Sequence, residues 1–427
     1  MAANNTPEPY YSQGLRARFQ VDGVRAEQAA ASAGEAYADI SYEIDEEKYL
    51  ARAAARVKAG NLPTEVPAGW PKELTGPLVW DSSSFPDESE YVYTLSAADK
   101  AELLSALAVF KTHNLDGSKV TKATFPLPGL GKHLDAMCAD VYNGRGFGIV
   151  RGLDPDDYAL EDLTTVYLGI SSYIAQVRGK QDQRGSMLIH VLKRGADDDE
   201  DDAYGADKPF HTDCVTDTLA LFTQSLAPSG GESLLASAWT VYNHLAATRP
   251  DLLHTLAAPD WPFDTYGRDP AFYKRALMYL TSEGKLITSF SRRLLVGHDP
   301  FQPRSLNIPG LTEAQAEALD AVHFAAKQVE IKTRMVRGDL RFINNMALLH
   351  RREAFQNVPG EDAARGRHLV RIWLHNDEGM CWKLPGPLRL AWARVFEDDG
   401  EERGEHWDFA PVRNLQGKLT SVGGSCD

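Results

Sequence analysis

The distribution of apolar residues changes character near residue 140. Before that point the sequence favours helices, because residues 26–40 and 45–60 are rich in Ala, Glu and Lys. A third helix is predicted over residues 96–114, with Ser96 as its N-cap. We expect four apolar side chains to form the buried face of that helix: Leu103, Leu104, Leu107 and Phe110. The Pro- and Gly-rich residues 61–77 predict extended chain on the surface.

After residue 140 the apolar residues come in short runs of the kind that form β-strands. Seven such runs lie at residues 146–153, 185–192, 217–226, 232–239, 284–291, 338–345 and 367–375. Helical patterns interrupt the series at residues 240–257 and 312–330. Many short strands with few helices between them predict an α+β protein that is mainly β, with a sandwich or barrel core and helical decoration.

Composition and charge narrow the class of protein. A net charge of −15 argues against nonspecific binding to nucleic acid or to an anionic membrane, because both favour clustered Lys and Arg. No apolar run approaches the roughly 18 residues that a membrane span needs, and the polar N-terminus lacks the features of a secretory signal. Four scattered cysteines suit a reducing compartment, so we expect a cytoplasmic protein.

The spacing His-x-Asp raises the question of a metal site. It occurs at His211–Asp213, and also at His133–Asp135 and His375–Asp377. In a strand, residues i and i+2 point to the same side and can bind one ion, whereas in a helix they diverge by about 200°. The pair at 133 lies in a helical pattern, so we interpret it as solvated helix surface. The pair at 375 closes a strand and runs into a turn, and only His406 follows it as a histidine that could complete a site, so we do not interpret it as a metal site. The pair at 211 begins an extended segment and is the candidate metal site.

A third metal ligand is predicted at His350, just past the strand at residues 338–345. Two histidines and one carboxylate leave one side of an octahedral ion open, which suits Fe(II) sites that bind a cosubstrate, a substrate and oxygen together. A zinc hydrolase can use the same residue types. The three ligands alone therefore leave both metals open.

An anchor for a dicarboxylic cosubstrate favours iron. Arg367 and Arg371 are four residues apart on a β-type run and face the same side, opposite Val370, Ile372 and Leu374. Two arginines that point into a barrel are costly to bury without anionic partners, and a bound dicarboxylate offers a bidentate one. The alternative is that they pair with structural Asp or Glu, and the pattern alone does not separate the two.

Five motifs in a fixed order resemble those of a known family. They are FHTD (210–213), GGES (230–233), GDLRFINN (338–345), LLHRR (348–352) and RHLVRIWL (367–374). Together they resemble the TauD/TfdA-type Fe(II)/2-oxoglutarate-dependent dioxygenases, in particular extended members like those of fungal secondary metabolism. The resemblance runs from about residue 144 to about residue 385, a little over half of the chain.

The resemblance implies a role for each matching residue. Fe(II) would be bound by His211, Asp213 and His350, and 2-oxoglutarate by Arg367 and Ser233. Family members usually have threonine at the position of Ser233, so the hydroxyl is kept and the methyl group is lost. Relatives that install a halide lack the carboxylate, so Asp213 argues against a halogenase.

The resemblance also implies a domain organisation. Residues 140–385 would form a double-stranded β-helix (jelly-roll) dioxygenase domain with helical inserts. An N-terminal helical and extended region, 1–139, would pack on this core, and residues 386–427 would form a C-terminal helix and tail. The acidic run at 195–207 predicts a solvated loop, with a mobile lid over the site as the alternative.

The implied reaction is the oxidation of a small metabolite with O2, while 2-oxoglutarate becomes succinate and CO2. Arg371 suits a carboxylate, so an amino acid or another small acid is the predicted substrate, and hydroxylation, desaturation and ring closure are all open. Further candidates for substrate contact are Ile343, Asn345, Phe290 and Cys214, each of which a core position also explains. The alternatives are a dioxygenase of sulfonate or aryloxy-acid catabolism, a protein hydroxylase, and a jelly-roll binding protein with an inactive metal site.

Overall fold

The structure is a computed structural model that describes residues 37–192, 205–213, 215–266, 270–299, 302–356, 366–397 and 403–412. The α-helices within these ranges are α1 Glu46–Ala59, α2 Ala97–Thr112, α3 Leu130–Asn143, α4 Leu160–Ser171, α5 Ala238–Thr248, α6 Pro250–Ala257, α7 Arg293–Val296, α8 Glu313–Val329 and α9 Gly386–Phe396. The strands are β1 Val92–Thr94, β2 Phe147–Arg151, β3 Val177–Arg178, β4 Ile189–Leu192, β5 Lys208–His211, β6 Thr218–Ser225, β7 Ser229–Gly230, β8 Ser233–Ser237, β9 Trp261–Asp264, β10 Phe272–Arg275, β11 Met278–Leu280, β12 Leu286–Thr288, β13 Ile331–Thr333, β14 Leu340–Asn344, β15 Leu348–Arg352, β16 Phe355–Gln356 and β17 His368–His375.

Two sheets contain most of these strands. The larger has seven strands in the order β1-β2-β14-β6-β17-β3, with β4 also paired to β17. The smaller has four strands in the order β13-β8-β15-β5. The pairings within both sheets are antiparallel except that of β1 with β2. Mixed sheets with packed helices make this an α+β protein, as predicted.

Strand β17 separates two hydrophobic clusters. Val370, Ile372 and Leu374 belong to a cluster that also contains the buried residues of α3 and α4. Leu369 and Trp373 belong to the other cluster, which includes buried residues of α5, α6 and α8. The predicted alternation along this strand is therefore confirmed, and Arg371 faces the second side with Leu369 and Trp373.

Most elements predicted from the sequence occur where the pattern placed them. The helix predicted over 240–257 was wrong as one element, because it is two helices, α5 and α6, that meet at Arg249 before Pro250. Residues 37–40, the described end of the helix predicted over 26–40, are not helical. Each of the seven predicted runs contains a strand, and Ser96 caps α2 through a reciprocal capping box with Asp99. One residue was wrong: Leu104 is 53% exposed, while Leu103, Leu107 and Phe110 are buried. The reason is that each helical residue turns by about 100°, which moves Leu104 off the line of the other three. Most of the predicted helix 26–40 lies outside the described residues.

Helix α1 is fastened to α8 by buried ion pairs. It has no buried residue of its own, but Arg56 bonds to Glu317 and Arg52 to Asp320, at 2.5 and 3.2 Å. Arg249 contacts the other oxygen of Glu317, also at 2.5 Å. These ion pairs, together with the stacking of Tyr49 on Phe324 of α8, therefore hold this helix in place.

Within the described residues, no helix combines the length and the apolar character that crossing a membrane requires.

Candidate metal centre

The three predicted ligands converge on the smaller sheet. His211 is the last residue of β5, and His350 is the middle residue of β15. The antiparallel register of these strands places the two histidines directly opposite each other, with ring centres 4.2 Å apart. Asp213 follows β5 by two residues, and all three side chains are buried. His211 and His350, 139 positions apart, are thus brought together by strand pairing.

The spacing of the donor atoms suits a metal ion. One donor atom from each of the three residues lies within 4.8 Å of the others. Nε2 of His350 is 3.5 Å from Oδ1 of Asp213, close to the separation of about 3 Å expected for two ligands about 2.1 Å from one ion. Nδ1 of His211 lies 2.9 Å from the carbonyl of Pro209. Since a carbonyl only accepts, Nδ1 carries the proton and Nε2 keeps a lone pair for a metal.

The backbone around Asp213 is fixed by two side chains. The amide of Asn345 accepts from the N–H of Asp213 at 2.8 Å and donates to its carbonyl at 2.9 Å. The N–H of Thr212 donates to the carbonyl of Phe290 at 2.8 Å, and the N–H of Phe290 donates to the hydroxyl of Thr212 at 2.9 Å. The turn that carries the carboxylate is therefore set before any ion binds.

Two donors hold one oxygen of Asp213. The indole Nε1 of Trp373 lies 2.5 Å from Oδ2, and Nη1 of Arg371 lies 3.1 Å from the same atom. Burial acts to raise the pKa of Asp213, but the charge of Arg371 and the contact with His350 outweigh it and hold the pKa below its usual range. The carboxylate is therefore ionised, as a metal ligand must be.

Arg371 is itself oriented by Gln181. Its Nε donates to the side-chain carbonyl of Gln181 at 2.9 Å, and the Gln181 amide donates back to the carbonyl of Arg371 at 3.0 Å. Nη2 of Arg371 is buried and has no hydrogen-bond partner among the described residues. One donor of this guanidinium is thus left for an anion.

Arg367 and Ser233 lie at the Gly-Gly turn. Nε of Arg367 donates to the carbonyl of Gly231 at 3.0 Å, and its guanidinium lies 5.6 Å from the ring centre of Phe355. Gly231 has φ +80°, and a Cβ there would stand 2.7 Å from Cδ of Arg367, so only glycine fits. Ser233 is buried two residues further on, at the start of β8.

The structure gives the remaining candidates different surroundings. Ile343 and Phe290 are buried in the hydrophobic cluster of α5 and α8. Asn345 uses its amide on backbone groups of Asp213 and Thr216. Cys214 lies outside the described residues, as does most of the acidic run 195–207.

The other His-x-Asp pairs do not build such a site. His133 and Asp135 are exposed on α3, as expected. His375 contacts Asp217, with Nδ1 2.6 Å from Oδ2, and Cys381 lies nearby. That distance is a direct hydrogen bond, shorter than the separation of two ligands on one ion. The spacing also occurs at His406 and Asp408, where Asp408 pairs with Arg184 at 2.8 Å.

Sequence reasoning missed three residues of this region. Trp373 lies two positions after Arg371 on the same strand and therefore on the same face, and this alternation could have indicated that it lies near the site. Gly231 lies within the GGES motif, but its contact with Arg367 is not visible there. Gln181 belongs to no motif, and nothing in the sequence connects it with Arg371.

Two histidines and one carboxylate around one point are the ligand set of a class of mononuclear non-haem metal enzymes. A family comparison makes this specific: the profile described as "Taurine catabolism dioxygenase TauD, TfdA family" matches residues 111–373. The chain belongs to this family, and the predicted Fe(II)- and 2-oxoglutarate-dependent oxygenase is confirmed. The alternative of an inactive binding protein is thereby disfavoured.

Two curated relatives match most of the chain. "Taurine hydroxylase-like protein SAT17" of Stachybotrys chartarum (strain CBS 109288 / IBT 7711) is 33% identical over 81% of this chain and 91% of its own length. "FR-33289 synthase" of Streptomyces rubellomurinus (strain ATCC 31215) is 25% identical over 72% of this chain and 92% of its own length. An asparagine oxygenase solved with Fe(II), 2S,3S-3-hydroxyasparagine and succinate shares the fold, with a TM-score of 0.51 and 16% identity over 66% of this chain and 93% of that one.

Proposed function

We propose that the protein oxidises a small acid, most simply an amino acid, at Fe(II) held by His211, Asp213 and His350. The observation that carries the proposal is the buried ligand set with a guanidinium beside it that has one donor left. An ion would balance the Asp213 carboxylate beside His211 and His350, and an anionic ligand would occupy Nη2 of Arg371.

We assign the cosubstrate to the Gly-Gly turn. Arg367 would bind the distal carboxylate of 2-oxoglutarate, because its guanidinium is buried and already oriented through Nε by Gly231. Ser233 would add a hydroxyl donor from the start of β8. Both residues stay close to the metal strands, since β8 pairs with β15, which carries His350.

The residues of the chain divide the work of the reaction. Bound iron with 2-oxoglutarate supplies the oxidising power that removes hydrogen from an unactivated carbon, with succinate and CO2 as co-products. His211, Asp213 and His350 fix the ion on one side and leave the other for ligands. Arg367 orients the cosubstrate, and Arg371 holds the substrate acid so that one carbon faces the centre. The surrounding hydrophobic cluster keeps bulk water out.

The substrate class rests on Arg371 and on what the relatives are named for. Taurine and asparagine are both small molecules that carry an acid group, and each appears in the name of a matching protein. Arg371 can give an acid group one hydrogen bond from Nη2. We also propose Cys214 as a substrate contact. Ile343, Phe290 and Asn345 are better explained by packing and by support of the Asp213 turn.

The finer architecture belongs to the same proposal. We infer that the seven- and four-stranded sheets are the two halves of a double-stranded β-helix, with the metal strands β5 and β15 in the smaller one. Residues 140–385 would be the dioxygenase domain, 1–139 an N-terminal region packed on it and 386–427 a C-terminal helix and tail. The cysteine content continues to favour a cytoplasmic location.

Two measurements test the proposal. Anaerobic addition of Fe(II) and 2-oxoglutarate should produce a visible charge-transfer band that is absent in His211→Ala. Succinate release in air should then rise with one or more free amino acids and not with the corresponding amino-acid amides, which lack the anion. A band without stimulation by any free acid would refute the substrate class, and stimulation by taurine above every carboxylate would assign the enzyme to sulfonates.

A further inference from the structure

Trp373 is a buried residue whose polar atom is aimed at the metal centre. It is 1% exposed, and its position on β17 is fixed by pairing with Leu219 on β6 and by a bond from the N–H of Gly179 to its carbonyl at 2.9 Å. Its Nε1 lies 2.5 Å from Oδ2 of Asp213. An indole N–H can only donate, so this contact is a charge-assisted hydrogen bond to the carboxylate.

A second donor on the same oxygen is held just as firmly. Nη1 of Arg371 lies 3.1 Å from Oδ2, and the guanidinium lies 5.1 Å from the ring centre of Trp373. Gln181 fixes Arg371 from the other side and donates to the carbonyl of Met187 at 2.9 Å. Arg371 is therefore held between Gln181 and Asp213, with its guanidinium beside the ring of Trp373.

The other oxygen of Asp213 has different surroundings. Oδ1 faces His350, whose Nε2 is 3.5 Å away, too far for a hydrogen bond of normal strength. It is therefore the oxygen turned toward His350. A carboxylate that used both oxygens would take two positions on an ion and leave less room for cosubstrate, substrate and oxygen.

We propose that Trp373 is a positioning residue of the metal centre, which acts with Arg371 to occupy Oδ2 and leaves Oδ1 as the single oxygen of Asp213 that binds the ion. This inference rests on the iron site proposed above. It also assigns Arg371 a second role, because its Nη1 serves the metal ligand while Nη2 serves the substrate.

The test is Trp373→Phe, which keeps an aromatic ring and removes the donor. Titration of the metal-free protein with Co(II), without cosubstrate, should show a dissociation constant about 10- to 100-fold higher than that of the wild type, as is typical when a group that orients a ligand is lost. The matched control is Trp382→Phe. Trp382 is also buried, and its Nε1 donates to the carbonyl of Tyr142 at 2.8 Å, so it loses an equivalent bond away from the site.

A second measurement separates positioning from packing. If Trp373 acts through the carboxylate, Trp373→Phe should lower the thermal midpoint less in an Asp213→Ala background than in the wild type, because the partner is already gone. Equal losses in both backgrounds would mean that the indole only packs.

The outcomes distinguish this inference from the proposed function. Wild-type affinity for Co(II) in Trp373→Phe would overturn the positioning role and leave the iron site standing. A wild-type protein that binds no ion, or binds it equally well after His211→Ala, would overturn the iron site itself.

Discussion

Two groups of charged residues differ in whether the protein itself supplies partners for their buried polar atoms. In the ion network that fastens α1, each oxygen of Glu317 and Asp320 bonds to a guanidinium, at 2.5 to 3.2 Å. At the metal centre, Oδ2 of Asp213 contacts two donors, Nε1 of Trp373 and Nη1 of Arg371, while Oδ1 lies 3.5 Å from Nε2 of His350. Nη2 of Arg371 and Nδ1 of His350 have no hydrogen-bond partner among the described residues.

This contrast between the two groups shows where a ligand can bind. A buried polar group without a partner costs about 1–3 kcal/mol, more if it is charged. In the network the charges satisfy one another, so nothing is left for a ligand. At the metal centre, one cation among the three ligand atoms and one anion at Nη2 of Arg371 would complete the charges, and these are the ion and the acid of the proposed function; Nδ1 of His350 stays without a partner among the described residues. Mutations in the two regions should therefore change different quantities.

The largest effect is expected at a metal ligand. His211→Ala should reduce succinate formation to the level of metal-free wild-type protein, because the remaining two ligands hold iron weakly. The free energy of unfolding of the metal-free protein should change by only about 1 kcal/mol, the usual cost of a single substitution. Turnover retained in a metal-controlled assay would contradict the role of His211 as a ligand. A protein that fails to fold would show that His211 contributes to stability as the ion network does.

The converse change is Glu317→Ala in the ion network. Its side chain is fully buried between Arg56 and Arg249, which are 21% and 20% exposed. Arg249 keeps its pair with Asp251 when Glu317 is removed, so the lost charged hydrogen bonds should cost about 1.5–3 kcal/mol. Glu313→Ala is the control, because Glu313 also pairs with Arg52 but is 58% exposed and should cost at most about 1 kcal/mol. Chemical denaturation measures both. Equal losses would show that the network is not what fastens α1.

Arg367 tests whether the cosubstrate acid is recognised by charge. Arg367→Gln should raise the KM for 2-oxoglutarate by about 10- to 150-fold, the equivalent of about 1.5–3 kcal/mol for a hydrogen bond to a charged group. Co(II) affinity without cosubstrate should stay at the wild-type value, because Arg367 contacts Gly231 and not a ligand. A variant that loses the ion as well would place Arg367 in the support of the metal site.

Local pattern predicted the strands, the capped helix and the His211–Asp213 pair, since these depend on periodicity and on residue types at short spacing, whereas the role of His350 came from the order of motifs that resembles the family. Strand alternation alone placed Arg371 and Val370 on opposite sides of β17 correctly. The network around Glu317 was not predictable, because Arg56 on α1, Arg249 between α5 and α6, and Glu317 on α8 are joined only by tertiary packing. Gln181 is the same case at the site, since a contact across 190 positions has no local signature.

A smaller, pH-dependent effect is expected at His323, which lies on α8 and accepts from the N–H of Phe210 on the metal strand at 3.3 Å. Burial, followed by the charges of Arg292, Lys327 and Arg351, lowers its pKa from 6.5 to about 3. The folded protein therefore binds fewer protons than the unfolded chain between these values, and stability present above pH 6.5 is lost as the pH falls. The loss from this group should reach about 2 kcal/mol at pH 5.

His323→Asn should remove that part of the pH dependence, because an asparagine can keep an acceptor near Nδ1 and does not titrate. The measurement is the free energy of unfolding of metal-free wild type and variant at pH 7.5 and pH 5. A difference between the two proteins that does not change with pH would mean that His323 is protonated in the folded state, and that the space between the network and the site is wetter than its burial implies.

The smallest effect is expected at Ser233, and it tests whether a hydroxyl group helps to bind 2-oxoglutarate. Ser233→Ala should raise the KM for 2-oxoglutarate by about 2- to 10-fold, since a neutral hydrogen bond contributes about 0.5–1.5 kcal/mol. Ser233→Thr keeps the hydroxyl and should stay near the wild type, provided that the added methyl group is accommodated beside Thr333 and Arg352, its neighbours across the sheet. An unchanged KM in Ser233→Ala, with the Arg367 effect present, would mean that charge alone binds the cosubstrate acid and that the hydroxyl belongs to the strand, not to the site.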